Sequence, residues 1–315
     1  MRVERYTTDQ EQEWNDFVRG SKNGTFLFDR GYMEYHGDRF IDASLVVRDQ
    51  RGRLIALLPA SRHEDVLISH GGLTYGGFVT GTQMTTRRML DVFDACLEHV
   101  RQDQVDRLVY KCVPHIYHSV PAEEDAYALF VHDARLVRRD VSSAIDTRAP
   151  VSFRKGRHGA LKRARRAGLC VEQVDQFDRF WPVLEENLVD RYGKKPVHTL
   201  DEITYLAGRF PENILLFECA EDSEVLAGTV VYISVNVCHF QYNGASEEGR
   251  RQGALDLVVA DVIERFSSTH RVIDFGISTE LDGRHLNGGL IDYKEGFGAR
   301  AVNYDFYEMP ISRDG

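Results

Sequence analysis

Apolar residues recur with two spacings along this chain, and the spacings alternate in an order that appears twice. In Thr85–Gln102 the positions Leu90, Phe93, Leu97 and Val100 fall on one helical face, which predicts an amphipathic helix. Upstream, short helices are expected over 11–21 and 30–40. A hairpin follows over 42–62, turning at Gln50-Arg51-Gly52, and then a strand over 65–72. A strand over 107–113, a helix over 123–134 and a strand over 135–147 complete the first half. The second half repeats the order. Helices over 175–192 and 200–210 precede three strands over 213–221, 224–234 and 236–246. A helix with Leu255, Val259, Val262 and Phe266 on one face comes next. A buried strand over 271–278, a short helix over 287–296 and a strand over 300–309 end the series. The order of elements, not residue identity, implies an internal duplication. Each copy should be a mixed sheet with helices on both faces, an α/β fold of the α+β mixed-sheet kind. The expected division is 1–150 and 151–315, with a linking helix over 152–169 that stops at Gly168.

Length and composition agree with two domains. The chain has 315 residues, 43% of them hydrophobic and 28% charged, as in globular proteins. No apolar run reaches the roughly 18 residues of a membrane helix, and the first residues lack an apolar signal core. A cytoplasmic protein without integral membrane contact is the expectation. The five cysteines are scattered, with no CxxC pair, and read as buried free thiols. His115 and His118 have no ligand companions nearby, so no metal site is expected. A net charge of −10 argues against general nucleic-acid binding.

One local exception changes that picture. Residues 154–166 hold seven Lys/Arg and His158 without a single acid. Arg154, His158, Lys162 and Arg166 are four apart and line one stripe, where like charges repel. Either the stripe meets an anionic partner such as a phosphate, or it is a solvated face paired with surplus carboxylates.

Further segments have residue types suited to chemistry. Arg250, Arg251, Gln252 and Gly253 follow a strand and precede a helix, where free N–H groups and the helix dipole suit a phosphate. The R-x-x-G-x-L pattern resembles the pyrophosphate loop of GNAT N-acetyltransferases, with Leu255 in place of the last small residue. After the strand "VIDFG" come Ser278, Glu280, Arg284 and His285, and polar residues past a strand end often face a ligand. The short helix beyond presents Tyr293 and Lys294, and Gly296 and Gly298 bracket Phe297 in a sharp turn. Lys294 alone reads equally as a lysine lying along an amphipathic helix. His198 precedes Thr199, a helix-capping residue, and reads as a structural loop histidine or a base. In the first copy, paired glycines flank Tyr75, as where a backbone closely approaches a ligand or a strand.

Taken together, "RRAGLCVEQ", "RYGKKPVHT", "HFQYNGASEEGRRQGALDLV", "DFGIST" and "GLIDYKEGFGA" resemble the Fem-type peptidoglycan bridge-forming transferases. They are still more similar to bacterial CelD-like GNAT acetyltransferases of envelope polysaccharide pathways. The resemblance covers nearly the whole chain and is strongest from Arg154 to Phe306. It implies two tandem GNAT-like domains sharing a groove. It also implies transfer of an acyl group from acyl-CoA to an amine of a polysaccharide or peptidoglycan precursor. A family lysine in a K-x-x-F-G motif lies at the reacting centre, and Lys294 matches it. Arg154 and Arg157, with Tyr75, Ser278 and His285, would then face a small or nucleotide-linked acceptor. His198 or Glu280 would be the base, and Tyr242 or Tyr293 the donor to the leaving thiolate. Fem enzymes take aminoacyl-tRNA, so a tRNA-dependent transferase is an alternative, although no long coiled-coil arm is present. A third reading is a non-catalytic binding protein on the same fold, which Leu255 supports.

Overall fold

The computed structural model describes residues 1–311. Its first elements are β1 (Arg2–Arg5), α1 (Glu11–Gly20), α2 (Arg30–Met33), β2 (Ile41–Asp42), β3 (Leu45–Arg48), β4 (Leu54–Leu58), β5 (Ser61–His63) and β6 (Val66–Ile68). Then come β7 (Val79–Thr80), α3 (Thr86–Gln102), β8 (Arg107–Lys111), α4 (Glu124–Val131) and β9 (Arg135–Asp146). The second series has α5 (Lys155–Arg166), β10 (Glu172–Val174), α6 (Trp181–Tyr192), α7 (Leu200–Arg209), β11 (Ile214–Glu221), β12 (Glu224–Ile233) and β13 (Val237–Ala245). It closes with α8 (Glu247–Gln252), α9 (Ala254–Phe266), β14 (Val272–Ile277), β15 (Thr279–Glu280), β16 (His285–Leu286), α10 (Gly288–Glu295) and β17 (Arg300–Pro310). No helix among the described residues is long and apolar enough to cross a membrane.

The chain forms two compact units, and they do not follow one cut in the sequence. Among the described residues, unit 1 comprises 1–140, 281–284 and 303–311; unit 2 comprises 141–280 and 285–302. The chain passes between units inside β9 and inside β17. Strand periodicity alone cannot show such a crossing, because the pattern of a long strand is uninterrupted.

Unit 1 contains an antiparallel sheet ordered β1-β3-β4-β7. A second set of strands pairs β2 with β5, β5 with β6, β6 with β8 in parallel, and β8 with the end of β17. Helix α3 makes the parallel crossover. Thr85 caps it by accepting from the Arg88 N–H. Its apolar face (Met89, Val92, Phe93, Cys96) packs with Leu45, Val47 and Leu58 in the core of this unit.

Unit 2 repeats the device. Antiparallel β10, β11, β12 and β13 lead to β14, which runs parallel to β13, and β14 pairs with the end of β9. Helix α9 is the crossover between the parallel strands. Its buried residues Leu257, Val258, Val259 and Val262 pack with Phe217, Cys238, Phe240, Ile273 and Phe275 from one face of the sheet. The opposite face takes α6, whose N-cap Phe180 and whose Leu184 lie against Gly228 and Gly244; a Cβ on Gly228 would collide with the Phe180 ring. Helix α6 starts at Trp181, later than the 175 expected from pattern, with Pro182 in the first turn, the place in a helix where its missing N–H is harmless. Thr199 caps α7 through a reciprocal capping box with Glu202. Cys96, Cys219 and Cys238 are buried, as expected, whereas Cys112 is partly buried and Cys170 exposed.

Candidate functional site

The parallel pairing of β13 and β14 stops early. Its last register pair is His239 with Asp274, although β13 runs on to Ala245. Two local features part the strands. The register of β13 against β12 shifts between Val230 and Val231, leaving Gln241 as an extra residue that bends the strand. On the other side, Gly276 in β14 adopts φ 72°, a left-handed conformation suited to glycine. A cleft of about 760 Å³ lies where the strands diverge, at their carboxyl ends. Open α/β sheets hold their ligands at such ends.

Every wall of this cleft belongs to unit 2. Asn243 and Phe275 come from the strands, Asn187 from α6 and Leu255 from α9. Arg154 and Arg157 come from the start of α5, and Asn287, Leu290, Asp292, Tyr293 and Lys294 from α10 and its cap. Asn287 fixes that helix by accepting from the Leu290 N–H.

Lys294 is 5% exposed, and its Nζ donates to the carbonyls of Gly276 and Ile277, both at 2.7 Å. Burial lowers its pKa to about 8, while the nearby Asp274 carboxylate pulls the other way. Asp274 is itself completely buried. It accepts from Ser142 Oγ at 2.5 Å, from His239 Nδ1 at 2.7 Å and from the Gly276 N–H at 3.3 Å. The lysine charge is thus held over two carbonyl dipoles, with one fixed carboxylate behind them.

The arginines are anchored too. Arg157 pairs with Asp256 at 2.5 Å, and its guanidinium lies 4.6 Å from the Tyr293 ring centre. Burial raises the Asp256 pKa and the Arg157 charge opposes that rise. Arg154 pairs with Asp292 at 3.3 Å and Glu295 at 3.2 Å. The rest of the basic run behaves differently. Lys155, Lys162, Arg165 and Arg166 are exposed, and among the described residues none has a carboxylate within salt-bridge distance. Among the described residues the surplus acids therefore do not pair with these cations.

The segment Arg250–Gly253 is not the open loop expected from sequence. Ser246 caps a short helix, α8, whose last residue is Gln252, and Gly253 turns the chain into α9 with φ 83°. The Arg250 N–H bonds to Ser246 O and the Gly253 N–H to Gly249 O, so these amides are already used. The side chains are engaged as well. Arg250 donates to Ala245 O at 2.7 Å, Arg251 grips Glu248, and Gln252 bonds to Glu248 at 2.6 Å. A Cβ on Gly253 would lie 2.7 Å from Ala160 O, so this glycine serves the close packing of α5. A carboxylate, Asp256, already occupies the first turn of α9.

Of the other residues singled out from sequence, Lys294, Tyr293, Arg154 and Arg157 meet at the cleft, and the rest do not line it. Tyr242 and His198 form a buried pair, Oη to Nδ1 at 2.6 Å, and burial raises the Tyr242 pKa to about 12. Glu280 is exposed and accepts from Asn287 Nδ2 at 3.0 Å; His285 is exposed on β16 beside it. Ser278 is buried, and its backbone bonds Val141 and Asn287. Tyr75 is buried in unit 1, where its hydroxyl donates to Thr25 Oγ1 at 3.1 Å. Sequence reasoning missed Asn187, Asn243, His239, Asp274 and Ser142. An acid in the middle of the apolar run "VIDFG" was the one available signal. Among the described residues no three His, Cys, Asp or Glu side chains cluster as metal ligands.

Residues 152–295 match the family model described as the acetyltransferase (GNAT) domain, a span that contains nearly all of the cleft. The fold is shared by solved structures at low identity. FemX superposes with TM-score 0.67 at 12% identity, covering 97% of this chain and 97% of FemX. The C-terminal domain of a putative lysylphosphatidylglycerol synthetase from Agrobacterium fabrum gives 0.63 at 13%, covering 96% and 92%. A tandem GNAT protein from the clavulanic acid biosynthesis pathway gives 0.52 at 12%, covering 99% of each chain. The comparison with curated proteins gives no significant match. Fold and family model together define two GNAT-like domains. The chain thus has the fold of tandem GNAT proteins, and its acetyltransferase (GNAT)-type segment lies almost wholly in unit 2.

Proposed function

We propose that the unit 2 cleft moves an acyl group from acyl-CoA to an amine of a cell-envelope precursor. One observation carries this reading: Lys294, a nearly buried ammonium, forms part of a cleft at the carboxyl ends of a parallel strand pair within the acetyltransferase-type segment. In the reaction the amine nitrogen attacks the thioester carbonyl carbon, a C–N bond forms and the C–S bond breaks. Negative charge gathers on the carbonyl oxygen, and a fixed cation in a poorly hydrated site stabilises it. A volume of about 760 Å³ suits a thioester arm together with a small acceptor. Arg154 and Arg157 are the cleft cations suited to phosphates, in preference to Arg250–Gly253, which do not line the cleft. The shared fold of FemX and the lysylphosphatidylglycerol synthetase supports an envelope acceptor by analogy.

The test is transfer by the purified protein from acetyl-CoA to a panel of amines that includes nucleotide-linked amino sugars, read by thiol release and product mass. Saturable transfer is expected. A second reading, aminoacyl-tRNA as donor, is favoured by the unpaired cations Lys155, Lys162, Arg165 and Arg166. Product from charged tRNA and none from any acyl-CoA would select it. Transfer from neither carrier would overturn both.

A further inference from the structure

Helix α6 lies close enough to β13 for a short side chain to bridge them. A Cβ on Gly244 would sit 3.1 Å from the Leu184 α-carbon, so the bare glycine lets the helix approach the strand. Asn187 follows Leu184 by one helical turn and shares its face. Its Nδ2 donates to Ala245 O at 3.2 Å, and that carbonyl also accepts from Arg250 Nη1 at 2.7 Å. A carbonyl oxygen can only accept, so the Asn187 amide is fixed with its nitrogen on β13 and its oxygen at the other end. Asn187 is 8% exposed and lines the cleft. Among the described residues its Oδ1 has no hydrogen-bond partner, and the atom is not sealed from solvent. The acceptor oxygens of the other cleft amides are in use. Asn243 Oδ1 accepts from Thr229 Oγ1 at 2.8 Å, and Asn287 Oδ1 from the Leu290 N–H at 3.1 Å. Asp292 is an exposed carboxylate paired with Arg154. Asn187 Oδ1 is thus the buried, neutral acceptor that the cleft offers to a ligand.

We propose that Asn187 seats the attacking amine: Oδ1 accepts one amine N–H and turns the nitrogen lone pair toward the acyl carbon. This rests on the acyl-transfer reading and adds to it the side chain that meets the nucleophile. An amine attacks through its lone pair, so it must be neutral and held through its N–H bonds. A carboxylate would also hold it but would favour the ammonium form, which has no lone pair to give. A fixed amide oxygen orients the nitrogen without protonating it. The C–N bond forms as the C–S bond breaks, and the proton released by nitrogen ends on the departing thiolate, so no further reactant is needed. Arg250, outside the cleft, serves the seat indirectly by holding the carbonyl that holds Asn187.

The test measures transfer from acetyl-CoA to the best primary amine of the panel by the wild type, Asn187→Leu and Asn187→Asp. In Asn187→Leu, kcat should fall about 10- to 100-fold while acetyl-CoA affinity by calorimetry stays within about threefold. Asn187→Asp keeps the shape and an acceptor oxygen but adds a charge beside the amine. Its kcat should reach the alkaline plateau at higher pH than that of the wild type, because the carboxylate favours the ammonium form. A merely structural role would not move that profile. The charged groups around the seat are Arg154 and Arg157 on α5, Asp292 and Lys294 on α10, and Arg250 beyond Ala245, with Asp256 and Glu295 paired to the two α5 arginines. The substitution replaces none of them. A folded Asn187→Leu with kcat within about threefold of the wild type overturns the proposal. So does an Asn187→Asp that keeps the wild-type pH profile, which decides alone if Asn187→Leu does not fold. If the wild type transfers to no amine, the acyl-transfer reading fails and a ligand titration decides this one. The probe is methoxyamine, a primary amine that is neutral near physiological pH, against its N,N-dimethyl analogue, which has no N–H. In protein labelled with ¹⁵N at asparagine, the side-chain amide signal missing from Asn187→Asp should shift with methoxyamine and not with the analogue. Equal shifts, or none, overturn the seat.

Discussion

Arg157, on the cleft wall, and Asp256, in the first turn of α9, form a 2.5 Å ion pair. The sequence reading seats a phosphate close to that helix start, whose first turn carries this carboxylate. The pair holds α5 against α9, and it makes the start of α5 the basic wall of the cleft.

Charge reversal therefore should discriminate between two phosphate seats. Arg251→Glu should change acyl-CoA affinity by less than about threefold, since Arg251 is exposed and bonded to Glu248. Arg154→Glu should weaken it at least tenfold, about 1.4 kcal/mol. Calorimetry on the two folded variants decides; the reverse order would restore the loop as the seat.

Lys294→Ala should lower kcat/KM by about 10²–10³, the usual loss when one donor to a developing oxyanion is removed. The far-UV spectrum should stay that of the wild type. A rate within threefold of the wild type would take Lys294 out of the mechanism.

Gly276→Ala places a side chain at φ 72° and close to His239. Unfolding in urea should show a loss of about 1–3 kcal/mol. Gly159→Ala is a control, because a Cβ there meets nothing within 4 Å and the residue lies inside α5. It should stabilise the chain by a few tenths of a kcal/mol or more.

In unit 1, Lys111 Nζ donates to the carbonyls of His70 and Leu73, and burial lowers its pKa to about 7. The sign follows from proton counting. Between about pH 7 and 10.5 the unfolded chain holds a proton at this lysine that the folded one has released, so its contribution to stability rises with pH. That contribution is fully present above the unfolded pKa and is lost as pH falls through about 7. The stability difference between wild type and Lys111→Met should grow by on the order of 1 kcal/mol per pH unit in that window. A difference independent of pH from 7 to 10 would show that Lys111 stays charged in the folded protein.

The exposed cations of α5 should act additively on any polyanion. Replacing Lys155, Lys162, Arg165 and Arg166 with glutamine should flatten the salt dependence of RNA binding. If the wild type shows no salt-dependent binding, the tRNA reading loses its support.

Periodicity made the elements of this protein readable. The faces of α3 and α9, the strand series of each half and the Thr199 cap follow from local spacing and local hydrogen bonds. The resemblance carried by "YKEGFG" placed Lys294 at the site, and the basic run marked α5. Tertiary structure decided what local pattern does not encode. Arg250–Gln252 became helix because Ser246 caps it and Glu248 binds the Arg251 and Gln252 side chains, whereas composition alone suited a loop. His239, Asp274 and Ser142 lie on three strands, and only the register of β13, β14 and β9 brings them together. The crossings within β9 and β17 also depend on pairing partners distant in sequence. Sequence spacing fixes which residues share a face of one element. Which faces meet depends on burial and hydrogen bonding between elements, and the cleft exists because two of those strands part after Asp274.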